Sequence, residues 1–224
     1  MAGAAVMAYG VRGRSAQVFG PSVYRGDPRR KAIALTFDDG PSESTPRLLE
    51  VLARHSVPAT FFQCGANIRR LPGVAREVLA AGHEIGNHTD THPHLYFRDY
   101  QTIHDEFLRA QITIEQELGI SPRLMRPPYG VRWFGFRSMQ ETLNLLGVLW
   151  TVIGLDWKRN AEEITVRVLR FTQNGAIICL HDGRSVMRQP DIHATIDATS
   201  RIIPALTGQG YVFQTVTELL CLKK

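Results

Sequence analysis

Two adjacent carboxylates close the run Thr36-Phe37-Asp38-Asp39-Gly40-Pro41, directly after the apolar stretch Ala32 to Leu35. Neighbouring side chains on an extended chain point to opposite sides, so Asp38 and Asp39 are expected to do different jobs. One can hold a metal ion while the other faces a reacting water. Taken alone, Asp-Asp-Gly-Pro also reads as a turn, because each of these residue types favours turns for backbone reasons. The segment Gly86-Asn87-His88-Thr89-Asp90-Thr91-His92-Pro93 shifts that balance. It offers two imidazoles four residues apart, a spacing that lets both reach one ion. Pro93 biases His92 away from helix, which places the pair in a loop after a strand. A His-x-x-x-His pair by itself is more often an idle surface feature. Joined by a carboxylate from another strand, it becomes a three-ligand set that leaves positions open for water and substrate, as in catalytic zinc sites. On these grounds either Asp38 or Asp39 could be the ligand.

The chemistry such a set supports is hydrolysis. A bound divalent ion lowers the pKa of its water to roughly 7, and a nearby carboxylate then takes the proton as the water attacks. Arg126, in Arg126-Pro127-Pro128-Tyr129-Gly130, would pair with the free carboxylate and keep it ionised; otherwise it is a surface salt bridge. His181, which closes the apolar run Ile177 to Leu180, would protonate a leaving group under the influence of Asp156; otherwise it is a core histidine bonded to backbone. Trp157 is a core residue or a face on which a sugar stacks.

Composition sets the bounds on these readings. The chain has 224 residues, 44% hydrophobic and 21% charged, enough for one globular domain with a sizeable core. Its net charge of +5 is localised: residues 1–31 carry Arg12, Arg14, Arg25, Arg29, Arg30 and Lys31 against Asp27, leaving 20 basic and 20 acidic side chains in the remainder. A neutral body lacks the cationic face that non-specific nucleic-acid binding requires, and no nucleic-acid partner is expected. Ala2 to Tyr9 is apolar but far shorter than the roughly 20 residues that cross a bilayer. Residues 1–30 are read as an N-terminal extension, either the remnant of a signal or membrane anchor or an unstructured end. Cys64, Cys179 and Cys221 lack metal-type spacing, and Cys179 within Ala176-Ile177-Ile178-Cys179-Leu180 reads as core.

The elements that must position these residues follow a repeated plan. Amphipathic stretches end at Gly82, Gly119, Gly147, Gly175 and Gly210, each followed by a short β-rich run. Glycine after a helical pattern supplies a left-handed cap, so these are read as helix-to-strand junctions. The clearest helix repeats Tyr100, Ile103, Phe107, Ala110, Ile114 and Leu118 at spacings of three and four. Strands are predicted over 32–37, 59–63, 83–87, 123–126, 148–153, 176–180 and 211–214. Alternating strands and helices imply parallel pairing, in an open doubly wound sheet or in a barrel short of eight units. Asp38, Asp39, His88, His92, Arg126, Tyr129, Asp156, Trp157, His181 and Asp182 all follow a strand, at the end where active sites of parallel barrels lie.

Five ordered segments carry a resemblance: Thr36 to Pro41, His88 to His92, Arg126 to Tyr129, Asp156-Trp157 and Leu180-His181-Asp182-Gly183. Together they are similar to the motifs of the polysaccharide deacetylases, carbohydrate esterase family four, also called the NodB-homology domain. The resemblance runs from about residue 31 to 220, and 31–224 is expected to be the catalytic domain. It implies an α/β fold, a distorted (β/α) barrel of about seven parallel strands. It implies a divalent metal held by Asp39, His88 and His92, with zinc expected and cobalt, nickel or manganese also suited to two imidazoles and a carboxylate. Asp38 would be the base and Arg126 would position it. Asp156 would support His181 as the acid, and the backbone N–H of Tyr129 would help stabilise the oxyanion. Trp157 and Leu180 would line a pocket for the acetyl methyl, with Pro127 and Tyr129 also on the substrate side. The implied activity is removal of N-acetyl groups from N-acetylglucosamine units of a peptidoglycan-like or chitin-like glycan, at the cell envelope or outside the cell. O-acetyl xylan or small-amide hydrolysis, or a glycan-binding scaffold without turnover, are the other readings. One departure stands out. The fourth motif often carries an acidic residue three positions before Asp156-Trp157, where this chain has Ile153.

Overall fold

A computed structural model of the chain describes residues 2–222. Its parallel strands are β1 (Ser22–Val23), β2 (Ala32–Gly40), β3 (Thr60–Gln63), β4 (Glu84–Asn87), β5 (Leu124–Met125), β6 (Leu146–Val148), β7 (Val152–Ile153), β8 (Ile177–His181) and β9 (Val212–Phe213). The helices are α1 (Ala2–Arg12), α2 (Thr45–Arg54), α3 (Gly65–Arg70), α4 (Pro72–Ala80), α5 (Tyr100–Leu118), α6 (Phe136–Leu143), α7 (Ala161–Phe171), α8 (His193–Gly208) and α9 (Val216–Leu219). The sheet runs β1-β6-β5-β4-β3-β2-β8-β7, and β9 pairs with the start of β2.

The predicted strand 148–153 is in fact two. β6 pairs with β5 and β1 at one side of the sheet, whereas β7 pairs with β8 at the other edge. Only Leu149 to Thr151 separate them, and so short a link spans at most about 14 Å between Cα atoms. The sheet must therefore curl until its margins nearly meet, which is the geometry of a distorted barrel. A run that is apolar but for Thr151 does not announce this change of partner.

Strand β2 is the centre of the structure. All nine of its residues are buried, and it pairs along its length with β3 and β8, so a near-continuous apolar sequence is required. Side-chain alternation sorts it into two faces. Ile33, Leu35 and Phe37 join Leu48 and Leu52 of α2, Ile164 and Val168 of α7, and Ile202 and Ile203 of α8 in the main core cluster. Ala32 and Ala34 instead pack with Phe62, Leu124, Val148 and Ile177, closed off by Val216 and Leu219 of α9. Along the same interior face, Thr36 and Asp38 follow. The barrel interior is thus apolar toward the strand starts and polar at the strand ends.

The helices are fixed by local chemistry. Asp99 caps α5 by accepting the Thr102 N–H, and Gly119 ends it at φ 68. Asn160 and Glu163 form a reciprocal capping box on α7. Gly147 departs from the expected pattern: it lies inside β6, and the left-handed residue that ends α6 is Asn144 at φ 52. Parts of the N-terminal segment pack against the rest. Met7 and Val11 of α1 pack on the cluster of Phe19, Phe107, Phe136 and Met139, β1 extends the sheet, and Arg132 Nη1 donates to the Ala16 carbonyl and to Ser22 Oγ, both at 2.7 Å. Among the described residues, no helix is long and apolar enough to cross a membrane.

Candidate active site

Strand ends deliver the site. Asp38 lies opposite His181 in the β2–β8 ladder, and the register shifts between Asp38 and Gly40. Asp39, inside that shift, adopts φ 73. A bulged, left-handed residue breaks simple alternation, so both carboxylates face one cleft rather than opposite sides of the sheet. Their partners still separate them by job.

Asp38 is the ion-paired carboxylate. Arg126 is fully buried and donates from Nη1 to Asp38 Oδ1 at 2.6 Å and to Thr36 Oγ1 at 2.8 Å. Its Nε and Nη2 donate to the carbonyls of Val148 and Leu149, and the guanidinium lies 4.2 Å from the Phe62 ring centroid. A charge buried this deeply is tolerable because nearly every donor has an acceptor. The second carboxylate oxygen of Asp38 accepts only the weak Cys179 thiol at 3.4 Å.

Asp39 is the metal-type carboxylate. Its Oδ2 accepts the Ser185 N–H at 2.8 Å, while the buried Oδ1 has no hydrogen-bond partner. That oxygen sits 3.2 Å from His88 Nε2 and 3.1 Å from His92 Nε2. His88 Nδ1 donates to the Arg126 carbonyl at 2.7 Å, which fixes the tautomer with its Nε2 lone pair aimed at Asp39. Three acceptor atoms thus converge on one point with separations near the roughly 3.0–3.4 Å expected between ligands bound at about 2.1 Å. The donor set fits a divalent ion.

His181 faces the same cleft. Its Nδ1 is 2.8 Å from Asp156 Oδ1, and its backbone N–H donates to Asp156 Oδ2 at 2.9 Å. Thr195 Oγ1 donates to the same oxygen at 2.7 Å, so Asp156 is oriented from three directions. Burial alone would lower the His181 pKa, yet the charge and hydrogen bond of Asp156 raise it to about 9. An imidazolium at neutral pH with Nε2 free is a proton donor. Trp157 packs edge-on to it, ring centroids 5.2 Å apart. Beneath these groups Asp182 is buried beside Gly40 and accepts from Thr45 Oγ1 at 2.8 Å; burial raises its pKa to about 7.

The cleft has a volume of about 570 Å³ and is lined by Asp38, Asp39, His88, His92, Tyr129, Trp157 and His181 from the expected set. Asp156 and Arg126 stand behind it. Tyr129, at φ 58, places its ring edge-on to His92 with centroids 4.8 Å apart. Pro127 is buried and does not line the cleft. Leu180 does not line it either: it is fully buried on the helix side of β8, in the cluster with Phe37, Val152 and Ile164. Strand parity is the reason, since residues 177, 179 and 181 share one face. Cys179, read from sequence as plain core, is the residue at the pocket wall. Ile153 also lines the cleft, so the missing acidic residue of the fourth motif leaves an apolar wall there. Arg12, His94, Trp150, Arg184, Ser185 and Met187 complete the lining and had no sequence signal, because loops and α1 bring them in.

The family comparison agrees with this geometry. A model of the polysaccharide deacetylase family matches residues 25–147, more than half of the chain. The chain belongs to the polysaccharide deacetylase family. It is 39% identical over 192 residues to the peptidoglycan-N-acetylglucosamine deacetylase PgdA of Listeria monocytogenes, covering 84% of this chain but only 39% of that protein. It is 37% identical over 198 residues to a chitooligosaccharide deacetylase of Bradyrhizobium, covering 84% of this chain and 90% of the relative. A crystal structure of the Bc1960 peptidoglycan N-acetylglucosamine deacetylase superposes with a TM-score of 0.84 at 32% identity, over 90% of this chain and 93% of the other.

Proposed function

We propose that the protein is a metal-dependent hydrolase that removes N-acetyl groups from N-acetylglucosamine units of a polysaccharide or oligosaccharide, releasing acetate and a free amine. The observation that carries this reading is one cleft holding a carboxylate locked by a buried arginine, an imidazolium backed by a carboxylate, and a separate three-acceptor cradle. The relatives named above act on peptidoglycan or chitooligosaccharides by their names, and both are N-acetylated glycans.

Asp39, His88 and His92 would hold the ion, and zinc is the assignment that best suits two imidazoles and a carboxylate. When bound, the ion would acidify a water and polarise the amide carbonyl. Asp38 takes the water proton on its Oδ2, the oxygen not engaged by Arg126. Arg126 keeps Asp38 ionised and fixes its plane. The backbone N–H of Tyr129 donates to the oxygen on which negative charge develops. His181 gives its Nε2 proton to the departing nitrogen, and Asp156 stabilises the charged form before that transfer. Trp157, with Cys179 and Ile153, walls the space beside the reacting carbon. Such substrates lie at the cell envelope or outside the cell, and we assign the protein there.

Acetate release from chitin oligomers, peptidoglycan and acetylated xylan, measured side by side after reconstitution with zinc, cobalt, nickel or manganese, tests the proposal. Acetate from the N-acetylated glycans is expected. Release from xylan alone would move the assignment to an O-acetyl esterase, and glycan binding with no acetate under any ion would make the protein a scaffold.

A further inference from the structure

A continuous track of aromatic rings leaves the cleft and reaches open surface. It begins at Tyr129, against His92, and continues to His94, stacked on Tyr129 with centroids 4.1 Å apart and planes 14° from parallel. His94 meets Tyr96 at 5.3 Å, Tyr96 meets Phe97 at 5.6 Å, Phe97 meets Trp133 at 4.8 Å, and Trp133 meets Phe134 at 5.3 Å. The rings come from two loops, the one between β4 and α5 and the one before α6, which meet only in the folded chain.

The fold gains little from the outer members of this track. Phe97 is 80% exposed, so burial does not account for it, and Phe134 keeps 59% of its surface exposed although one edge packs on Phe19. Phe97 also sits at φ 62, a conformation that non-glycine residues adopt only at a cost. A strained backbone that presents a bare phenyl ring to solvent is explained by what the ring contacts. Exposed apolar patches rimmed by polar groups mark binding surfaces, and here the rim is supplied by His94 and the hydroxyls of Tyr96 and Tyr129.

Resting on the deacetylase reading above, we propose that this track is a binding platform for the part of the glycan chain beyond the sugar being deacetylated. The C–H faces of pyranose rings stack on aromatic faces, and polar tips within hydrogen-bonding reach suit hydroxyl-rich rings better than a lipid surface. Continuity decides the occupant. The first ring touches a residue of the metal cradle, so a chain with one N-acetyl group in the cleft has its neighbouring sugars directed along the track. The protein then favours long glycans over short ones.

The test is chain-length dependence in Phe97→Ala, Phe134→Ala and the double variant, with Phe97→Tyr as the conservative control. With the zinc-loaded full chain, KM for an N-acetylglucosamine hexamer should rise about three- to tenfold per ring removed, the range for single aromatic contacts, with kcat held. KM for the dimer should stay unchanged, and Phe97→Tyr should behave like the parent. Retention of zinc-loaded Asp38→Asn on soluble chitin oligomers gives the same comparison without turnover. If the parent releases no acetate yet binds hexamer over dimer through these rings, the deacetylase reading fails and the platform stands. Equal losses for dimer and hexamer, or no change for either, would overturn the platform. So would ring-dependent binding to phosphatidylglycerol vesicles with unaltered glycan kinetics, which would identify a membrane-facing patch.

Discussion

Asp156→Asn isolates the acid arm of the site. Asp156 contributes both a charge and a 2.8 Å hydrogen bond to His181, and these outweigh the burial that would otherwise lower the imidazole pKa. Without the charge, the His181 pKa should fall from about 9 to its ordinary 6.5 or below. The acid is active only when protonated, so activity is lost as pH rises through this value. At pH 8 a group titrating near 9 is roughly 90% protonated and one titrating near 6.5 roughly 3%, a loss of about thirtyfold from titration alone. The assay is kcat/KM for acetate release from pH 5.5 to 10 under fixed metal loading. The alkaline limb should move to lower pH by about 2.5 units or more, with the two proteins closest in activity at the acid end. An unmoved alkaline limb would refute the role given to the pair. Stability of the metal-free protein provides an independent check. His181 titrates higher in the folded state, so its pairing energy is fully present below about pH 6.5 and lost as pH rises through about 9. In urea unfolding, Asp156→Asn should cost on the order of 3 kcal/mol at pH 6 and distinctly less at pH 10.

The two neighbouring aspartates should separate cleanly: Asp38→Asn keeps one bound metal per chain but loses roughly 10² to 10⁴ in rate, whereas Asp39→Ala loses the metal itself, as atomic absorption after gel filtration would show. Equal metal loss in both would contradict the assignment. Arg126→Ala leaves Asp38 buried without its partner and should destabilise by about 3–5 kcal/mol in urea melts. Arg159→Ala removes a more exposed pair with Glu163 and should cost less than about 1 kcal/mol. Gly40→Ala drives a Cβ into Asp182 Oδ2 in a buried position, so a loss of about 1–3 kcal/mol is expected, with partial recovery in the Gly40→Ala, Asp182→Ala double variant.

Much of the site was legible because a parallel barrel places chemistry at strand ends, and each motif residue follows an apolar run. Asp39 is distant in sequence from the His88 and His92 pair, yet the donor atoms of all three lie within 4.8 Å of one another. The barrel itself was legible from alternation of helix and strand. Its most irregular stretch was not, because Leu146 to Ile153 is apolar but for Thr151, while its two halves pair with opposite margins of the sheet. The same limit hid β1, whose two residues are too few to show a period.

The exchange of Leu180 for Cys179 at the pocket wall comes from parity. Leu180 precedes His181 in the chain, but on a strand the neighbour in sequence is the residue that faces away. Once His181 is placed in the cleft, Cys179 must share its face, and the signal for that was present in the spacing alone. Asp38 and Asp39 fail in the opposite sense. Strict alternation would have sent one of them to the helix layer, among Leu35 and Phe37, where an unpaired carboxylate would carry a large desolvation cost. The left-handed backbone at Asp39 removes that outcome, at an expected strain of about 1–2 kcal/mol. The bulge is therefore what allows one strand to supply both a base and a metal ligand. Gly40 and Gly183 belong to the same solution, since a side chain at either would collide with Asp182 or with the backbone of Asp39.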